Sequence, residues 1–171
     1  FVFQYYALFT WMTVQDNVEF GLATRRVERD RRHQVSTDLL KVMGLSEFAE
    51  KYPHHLSGGM KQRVSIARAL AVDPQVLLMD EPFGALDAQT RFVMQQELLR
   101  IWSLYKKTVL FVTHSIDEAL YLADRVLVMT ARPGTTKEEL PISLPRPRDI
   151  ASPEFGQLRK NVRTDDDGFS E

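Results

Sequence analysis

The run Val76-Leu77-Leu78-Met79-Asp80-Glu81 constrains the fold more than any other stretch of this chain. Four apolar residues followed at once by two carboxylates read as a short strand, buried on both faces, that ends at an acidic site. Parallel strands of this kind need long crossovers, normally through a helix. The downstream sequence supplies them. A helix is expected over 88–105, carrying Val93, Leu98, Ile101 and Trp102. A second buried strand follows at Thr108–Thr113, then a helix at Ser115–Ala123 and a third strand at Val126–Met129. Strand and helix alternate, which predicts an α/β fold with a parallel sheet.

In open sheets of this class, ligands gather at the carboxyl ends of the strands. Asp80 and Glu81 then offer one carboxylate for a magnesium ion and one for a water. An Asp-Glu pair is equally a helix N-cap. His114 follows the second strand in the same way and can donate to a developing phosphate charge. A lone histidine is more commonly structural. Phe1-Val2-Phe3 reads as the end of another buried strand, with Gln4 just after it.

Between these strands the chain is mainly helical. Residues 5–22 are rich in aromatics and lead into a helix start at Val14–Val18. The stretch 24–34 is densely charged, with Arg25, Arg26, Arg29, Arg31 and Arg32, and reads as a solvated helix or loop. Val35–Val42 has helical spacing ending at Gly44, and Ser46–Lys51 is a short helix stopped before Pro53. His55–Leu70 then places Gly58 and Gly59 behind a serine at the start of an amphipathic helix that runs to about Val72. Its apolar face is Met60, Val64, Ala67 and Ala71. Glycines at a helix N-terminus weaken local order unless something must approach the backbone, and that end of a helix attracts anions. A phosphate contact is the reading that follows.

Composition bounds the rest. With 44% hydrophobic and 26% charged residues the chain is ordinary for a globular protein, and its net charge of −1 gives no pull toward nucleic acid. There is no cysteine, so disulfides and cysteine zinc sites are excluded. No stretch reads as a membrane span or secretory signal. From Arg132 onward five prolines break regular structure, and Arg163–Asp167 reads as a solvated tail.

Taken together, Ser57-Gly58-Gly59-Met60-Lys61-Gln62, Val76 to Pro82, Gly84-Ala85-Leu86-Asp87 and His114 resemble, in order and spacing, the ATP-binding-cassette (ABC) ATPases, the motor subunits of ABC transporters. Leu56-Ser57-Gly58-Gly59 looks like their signature motif. Asp80 and Glu81 match the Walker B aspartate and the catalytic glutamate, Gly84–Asp87 the D-loop, His114 the switch histidine and Gln4 the Q-loop glutamine.

The resemblance implies a P-loop NTPase fold, a RecA-like parallel sheet core with an inserted α-helical subdomain. Residues 1–4 would end a core strand and carry the Q-loop, 5–72 form the helical subdomain, 73–131 the α/β catalytic core and 132–171 a C-terminal extension. It implies ATP and Mg2+ as ligands. Glu81 and His114 would be catalytic, Gln4, Ser57, Gly58, Gly59, Gln62, Asp80 and Asp87 nucleotide-binding, and Asp80 with Gln4 metal-holding.

The partners implied are a second ATPase subunit packed head to tail, integral membrane permease subunits and, indirectly, an external solute-binding protein. Nucleic acid is not among them. The location implied is the cytoplasmic face of the cell membrane. In the head-to-tail pair Ser57, Gly58 and Gly59 would touch the γ-phosphate of the ATP held by the other subunit. No Gly-x-x-x-x-Gly-Lys-Ser/Thr string occurs here. The resemblance places that phosphate loop before Gln4, and the chain begins at Phe1 rather than methionine. An N-terminally truncated cassette is therefore expected, inactive on its own.

Phe3-Gln4 and Leu8 to Val18, with Ala131-Arg132-Pro133-Gly134-Thr135 and Leu144 to Asp149, look like the nitrate/sulfonate/taurine group of importers. Group members usually have proline where this chain has Thr10. The aromatics Tyr5, Tyr6, Phe9 and Trp11 are either core packing or, as the family implies, a groove for a permease helix. Two other functions compete: a non-catalytic truncated cassette, and a soluble non-transport cassette of the kind acting in translation or DNA repair. The latter usually carry two cassettes or a long coiled-coil insertion, and 4–57 contains neither.

Overall fold

Parallel pairing organises the first half of the chain. In the computed structural model, which describes residues 1–162, strand β1 (Val76–Asp80) pairs parallel with β2 (Thr108–Val112), Val76 opposite Thr108 and Asp80 opposite Val112. The expected N-terminal strand end is there too: Val2 pairs parallel with Met79, its N–H donating to the Leu78 carbonyl at 2.8 Å and its carbonyl accepting from Asp80 N–H at 3.0 Å. The crossover from β1 to β2 is a helix, as the pattern predicts.

The strands are not buried on both faces. Leu77 and Met79 are 3% and 1% exposed, whereas Val76, Leu78, Leu110 and Val112 lie between 38% and 56%. Side chains alternate across a strand, and the helices cover one face. Leu77 and Val109 meet Ile66, Leu70, Leu98 and Ile101 of those helices around one small apolar cavity.

Four helices make the rest of this half: α1 (Val14–Thr24), α2 (Arg29–Val42), α3 (Gly58–Ala71) and α4 (Ala88–Tyr105), with single 3-10 turns at Ser46–Phe48 and Pro53–His55. Thr13, Glu28, Ser57 and Asp87 cap their N-termini with side-chain oxygens. The charged stretch after Thr24 is thus a turn and the first part of α2. Val14, Val18, Leu40, Met43, Leu45, Val64 and Ile66 are essentially fully buried. At Gly21 helix α1 passes so close to the end of α3 that a Cβ would lie 2.6 Å from Val72 Cγ1. A polar group is buried with this core: Glu19 accepts from Ser36 Oγ at 3.0 Å and pairs with Arg32 Nε at 3.0 Å, and Gln15 donates to Ser36.

The chain divides into two compact units, residues 1–112 and those from 113 onward. That division falls inside the 73–131 segment expected to be one α/β core. The second unit holds α5 (Ile116–Leu122), β3 (Arg125–Met129), β4 (Thr136–Pro141) and α6 (Pro153–Asn161). Strand β3 exists where expected, but it forms an antiparallel hairpin with β4, Val126 opposite Leu140 and Val128 opposite Glu138.

The proline-rich stretch is more regular than expected, because its prolines sit where a missing N–H costs least. Pro141 ends β4, and Pro153 opens α6 behind the Ser152 cap. Arg148, only 6% exposed, ties this unit together. Its guanidinium donates to the carbonyls of Leu120, Tyr121, Ala123, Ile142 and Leu144. Among the described residues no helix is long and apolar enough to cross a membrane. The stretch Arg163–Asp167, expected to be a solvated tail, lies outside the described residues.

Candidate functional site

Three chain segments converge at the carboxyl end of β1. Asp80 is the last strand residue and is exposed. Glu81 leaves the strand in a left-handed backbone conformation, φ +41°, which costs a non-glycine residue about 1–2 kcal/mol. The turn is held on both sides: Glu81 N–H donates to the Val112 carbonyl at 2.9 Å, and Glu81 C=O accepts from Gly84 N–H at 3.0 Å. Strain of this kind is retained where the surrounding structure over-determines it, commonly at functional sites. Gln4, 77 positions away in sequence, donates from Nε2 to Glu81 Oε2 at 3.2 Å. Gly84 makes that approach possible, since a Cβ there would sit 2.9 Å from Gln4 Nε2.

The glycines at the start of α3 join the same cluster. A Cβ on Gly58 would meet Leu86 Cδ2 at 3.0 Å and Tyr6 Oη at 3.1 Å. On Gly59 it would meet Thr90 Cγ2 of α4 at 3.2 Å. Within this chain, then, both glycines lie in tight packing against neighbouring segments, where a side chain would press on its neighbours. Ser57 is exposed, and its Oγ accepts from Met60 N–H at 3.3 Å as the α3 cap, which leaves its hydroxyl proton free to point outward. Asp87 is exposed and caps α4, accepting from Thr90 N–H at 3.0 Å. The hydroxyl and amide of Thr90 hold its carboxyl below the usual carboxylate range.

Of the other expected site residues, one is buried in the first unit and one stands in the second. Gln62 has 0% exposure and faces the interior from the second turn of α3, away from any surface a nucleotide could reach. With a helical period of 3.6, a residue five positions beyond Ser57 is turned well round the helix from the cap. His114 lies in the second unit, exposed, between Thr113, whose Oγ1 donates to Glu118 at 2.6 Å, and Ser115, which caps α5.

Several residues that organise the site carried no chemical signal in the sequence. Asn17, fully buried, accepts from Phe9 N–H at 2.8 Å and donates to the carbonyls of Phe9, Met12 and Thr13, so it fixes the aromatic loop. Phe9 lies 4.4 Å from Phe20 and 5.5 Å from Trp11 between ring centroids, while Trp11 is 72% and Tyr5 77% exposed. Tyr6 and Ala7 both have left-handed backbones, φ +62° and +47°. Their carbonyls are gripped by Arg68 of α3. The detectable signal for Arg68 was a single charge in the apolar run Ile66-Ala67-Arg68-Ala69-Leu70.

The donor set suits a hard cation. Asp80 offers a carboxylate. The Gln4 amide oxygen Oε1, not used in its bond to Glu81, is a second candidate oxygen ligand of the kind Mg2+ takes alongside phosphate oxygens and waters. No cluster of three or more acidic, histidine or cysteine residues able to hold a metal unaided is found among the described residues.

Comparison with known proteins settles the family. The profile of the ABC transporter family matches residues 1–84, from the Val2 strand through Gln4 and the signature turn to Gly84. Residues 1–84 belong to the ABC transporter family. An uncharacterized ABC transporter ATP-binding protein of Methanocaldococcus jannaschii is 56% identical over 161 residues, covering 94% of this chain and 60% of that protein. The nitrate import ATP-binding protein NrtD of Synechocystis is 54% identical, covering 84% of this chain and 54% of its own length. Among solved structures, cbiO1 of Clostridium perfringens, part of the ABC transporter complex cbiONQ, superposes with a TM-score of 0.69 at 32% identity, over 75% of this chain and 51% of that one. The fold is that of a P-loop ABC ATPase. The chain thus spans well under two thirds of the length of each of these relatives.

Proposed function

We propose that these residues are the part of an importer's ATPase subunit that attacks ATP and senses the partner subunit's nucleotide. The observation that carries this reading is the hydrogen bond from Gln4 Nε2 to Glu81 Oε2 at the carboxyl end of β1. It holds a carboxylate in one orientation beside Asp80, which is what a general base for water needs. Glu81 accepts the proton of the attacking water, and Asp80 with the Gln4 amide oxygen would hold Mg2+. When bound, the ion neutralises charge on the phosphate oxygens. Ser57, through its exposed hydroxyl, and the first N–H groups of α3 donate to the γ-phosphate held by the second subunit, and His114 steadies a developing phosphate charge.

The subunit works at the cytoplasmic membrane face, with Tyr5, Phe9 and Trp11 turned to a membrane permease. Its solute is of the nitrate/sulfonate/taurine kind, a reading supported by the motifs from Phe3 to Val18 and by the nitrate-import relative. No Gly-x-x-x-x-Gly-Lys string lies within the 171 residues. These residues alone therefore bind Mg-ATP weakly. A phosphate loop supplies several charge-assisted bonds of about 1.5–3 kcal/mol each, out of the roughly 8 kcal/mol of a micromolar site.

The test is titration of the whole protein with ATP, with and without Mg2+. Asp80→Asn lowers the affinity for Mg-ATP by about tenfold or more and leaves Mg-free ATP binding unchanged. Equal Mg-ATP affinity in the variant and the parent contradicts the reading.

A further inference from the structure

We propose that Arg68 is a positioning residue for Gln4: by gripping the carbonyls of Tyr6 and Ala7 it sets the Gln4 amide against Glu81. The inference rests on the reading of Glu81 as the base.

Tyr6 and Ala7 stand in the left-handed region, where neither side chain has the freedom of glycine or the local hydrogen bonding of asparagine. Two such residues in succession do not hold themselves. Their own hydrogen bonds are short-range: Ala7 N–H to the Tyr5 carbonyl at 2.6 Å and Tyr6 N–H to the Phe3 carbonyl at 3.2 Å. A bond spanning three residues closes a tight turn that is strained when its central φ is positive, as at Tyr6.

The outside hold comes from Arg68. Its Nη1 donates to the Ala7 carbonyl at 2.7 Å and its Nη2 to the Tyr6 carbonyl at 3.1 Å. This is a planar fork on two successive carbonyls, which a lysine ammonium does not reproduce. Phe9 covers the guanidinium, with Cζ 5.5 Å from the ring centroid. Burial pushes the Arg68 pKa down, so the group has given up water to make these bonds. Side chains on a helix lean toward its N-terminus, so Arg68 reaches back along α3 toward the end that carries Ser57 and Gly58. There the Tyr6 hydroxyl packs against Gly58. The turn is therefore fixed to α3 at two places, and Gln4 lies inside the Phe3–Tyr6 bond that opens it. Gln4 Nε2 lies 3.2 Å from Glu81 Oε2 only while that turn keeps its shape.

The experiment uses the whole protein with Arg68→Ala, Arg68→Lys, Gln4→Ala and the double variant Gln4→Ala/Arg68→Ala. Two readouts are taken: amide hydrogen exchange across residues 3–9, and single-turnover ATP hydrolysis. Arg68→Ala speeds exchange at Tyr6 and Ala7 on the order of tenfold and leaves the α3 amides protected; Arg68→Lys does so by less. Hydrolysis falls by about tenfold in either single alanine variant, and the double variant is no slower than Gln4→Ala alone, as expected when one residue acts through the other.

Unchanged exchange at residues 3–9 in both Arg68 variants overturns the proposal. So do hydrolysis losses that multiply in the double variant, which mean that Arg68 contributes to folding or binding independently of Gln4. If Arg68→Ala does not fold, Arg68→Lys decides by the same two criteria. A parent protein that hydrolyses no ATP counts against the reading of Glu81, while the exchange experiment still decides whether Arg68 holds the turn.

Discussion

Arg68 and Arg148 each grip two or more backbone carbonyls, and they do different work. Arg148 in the second unit is 6% exposed and donates to five carbonyls, three of them at or just past the end of α5. The last carbonyls of a helix have no intrahelical partner, so Arg148 satisfies acceptors that any folded form of this unit must satisfy. Arg68 in the first unit is half-buried and donates to two carbonyls of a turn that is strained in the first place. One clamp completes an ordinary helix end, and the other maintains a conformation the chain would otherwise leave. The lesson is that the same contact chemistry reads as stability or as function according to the backbone it holds.

The sharpest way to break this comparison is Arg148→Ala. It leaves several buried carbonyls unpaired and destabilises the second unit by about 3 kcal/mol, measured by urea unfolding followed through hydrogen exchange of α5 and β3. A change below about 0.5 kcal/mol would place Arg148 with ordinary surface residues and erase the contrast. Next in size is Gly84→Ala. Its Cβ would fall 2.9 Å from Gln4 Nε2 and must displace it. Hydrolysis by the whole protein drops about tenfold or more, with stability nearly unchanged, because misplacing the partner of the proposed base is costly in rate.

Arg68→Ala costs less stability than Arg148→Ala, about 1 kcal/mol, since its two carbonyls lie near solvent and the turn relaxes. A loss as large as that of Arg148→Ala would show that both arginines are structural. Smallest is the pair Phe9→Ala and Trp11→Ala. Unfolding should move by about 1 kcal/mol or less, most of it from Phe9, while co-purification with permease subunits weakens clearly. If stability and assembly fall together, the aromatic loop is core.

Much of this was legible in the sequence, and the reason differs by residue. Glu81 and Asp80 could be placed because an apolar run that ends in carboxylates puts them at a strand end wherever the strand lies. The α3 helix was legible from Met60, Val64, Ala67 and Ala71, three of which are buried. That the described residues cover only one face of β1 and β2 was not legible, because four consecutive apolar residues look the same whether one face or both are covered. Nor was β4: Lys137, Glu138 and Glu139 read as loop, and only pairing with Val126–Met129 makes them a strand.

The burial of Gln62 was not legible from the motif alone, since five positions beyond Ser57 the helix has turned it inward. The Tyr6-Ala7 turn had no signal at all. Left-handed conformations are foreseen from glycine or asparagine, and here an arginine 61 positions away from Ala7 imposes one.

The account stands or falls on the role of Glu81 beside Gln4. The direct measurement is single-turnover ATP hydrolysis by the whole protein with Glu81→Gln, alongside ATP binding by the same variant. The amide keeps the size of the side chain and an oxygen for Gln4 to donate to, but it cannot take a proton. The account predicts that hydrolysis falls by about 10²–10⁴-fold while ATP affinity stays within about twofold of the parent. Turnover near the parent rate would contradict it.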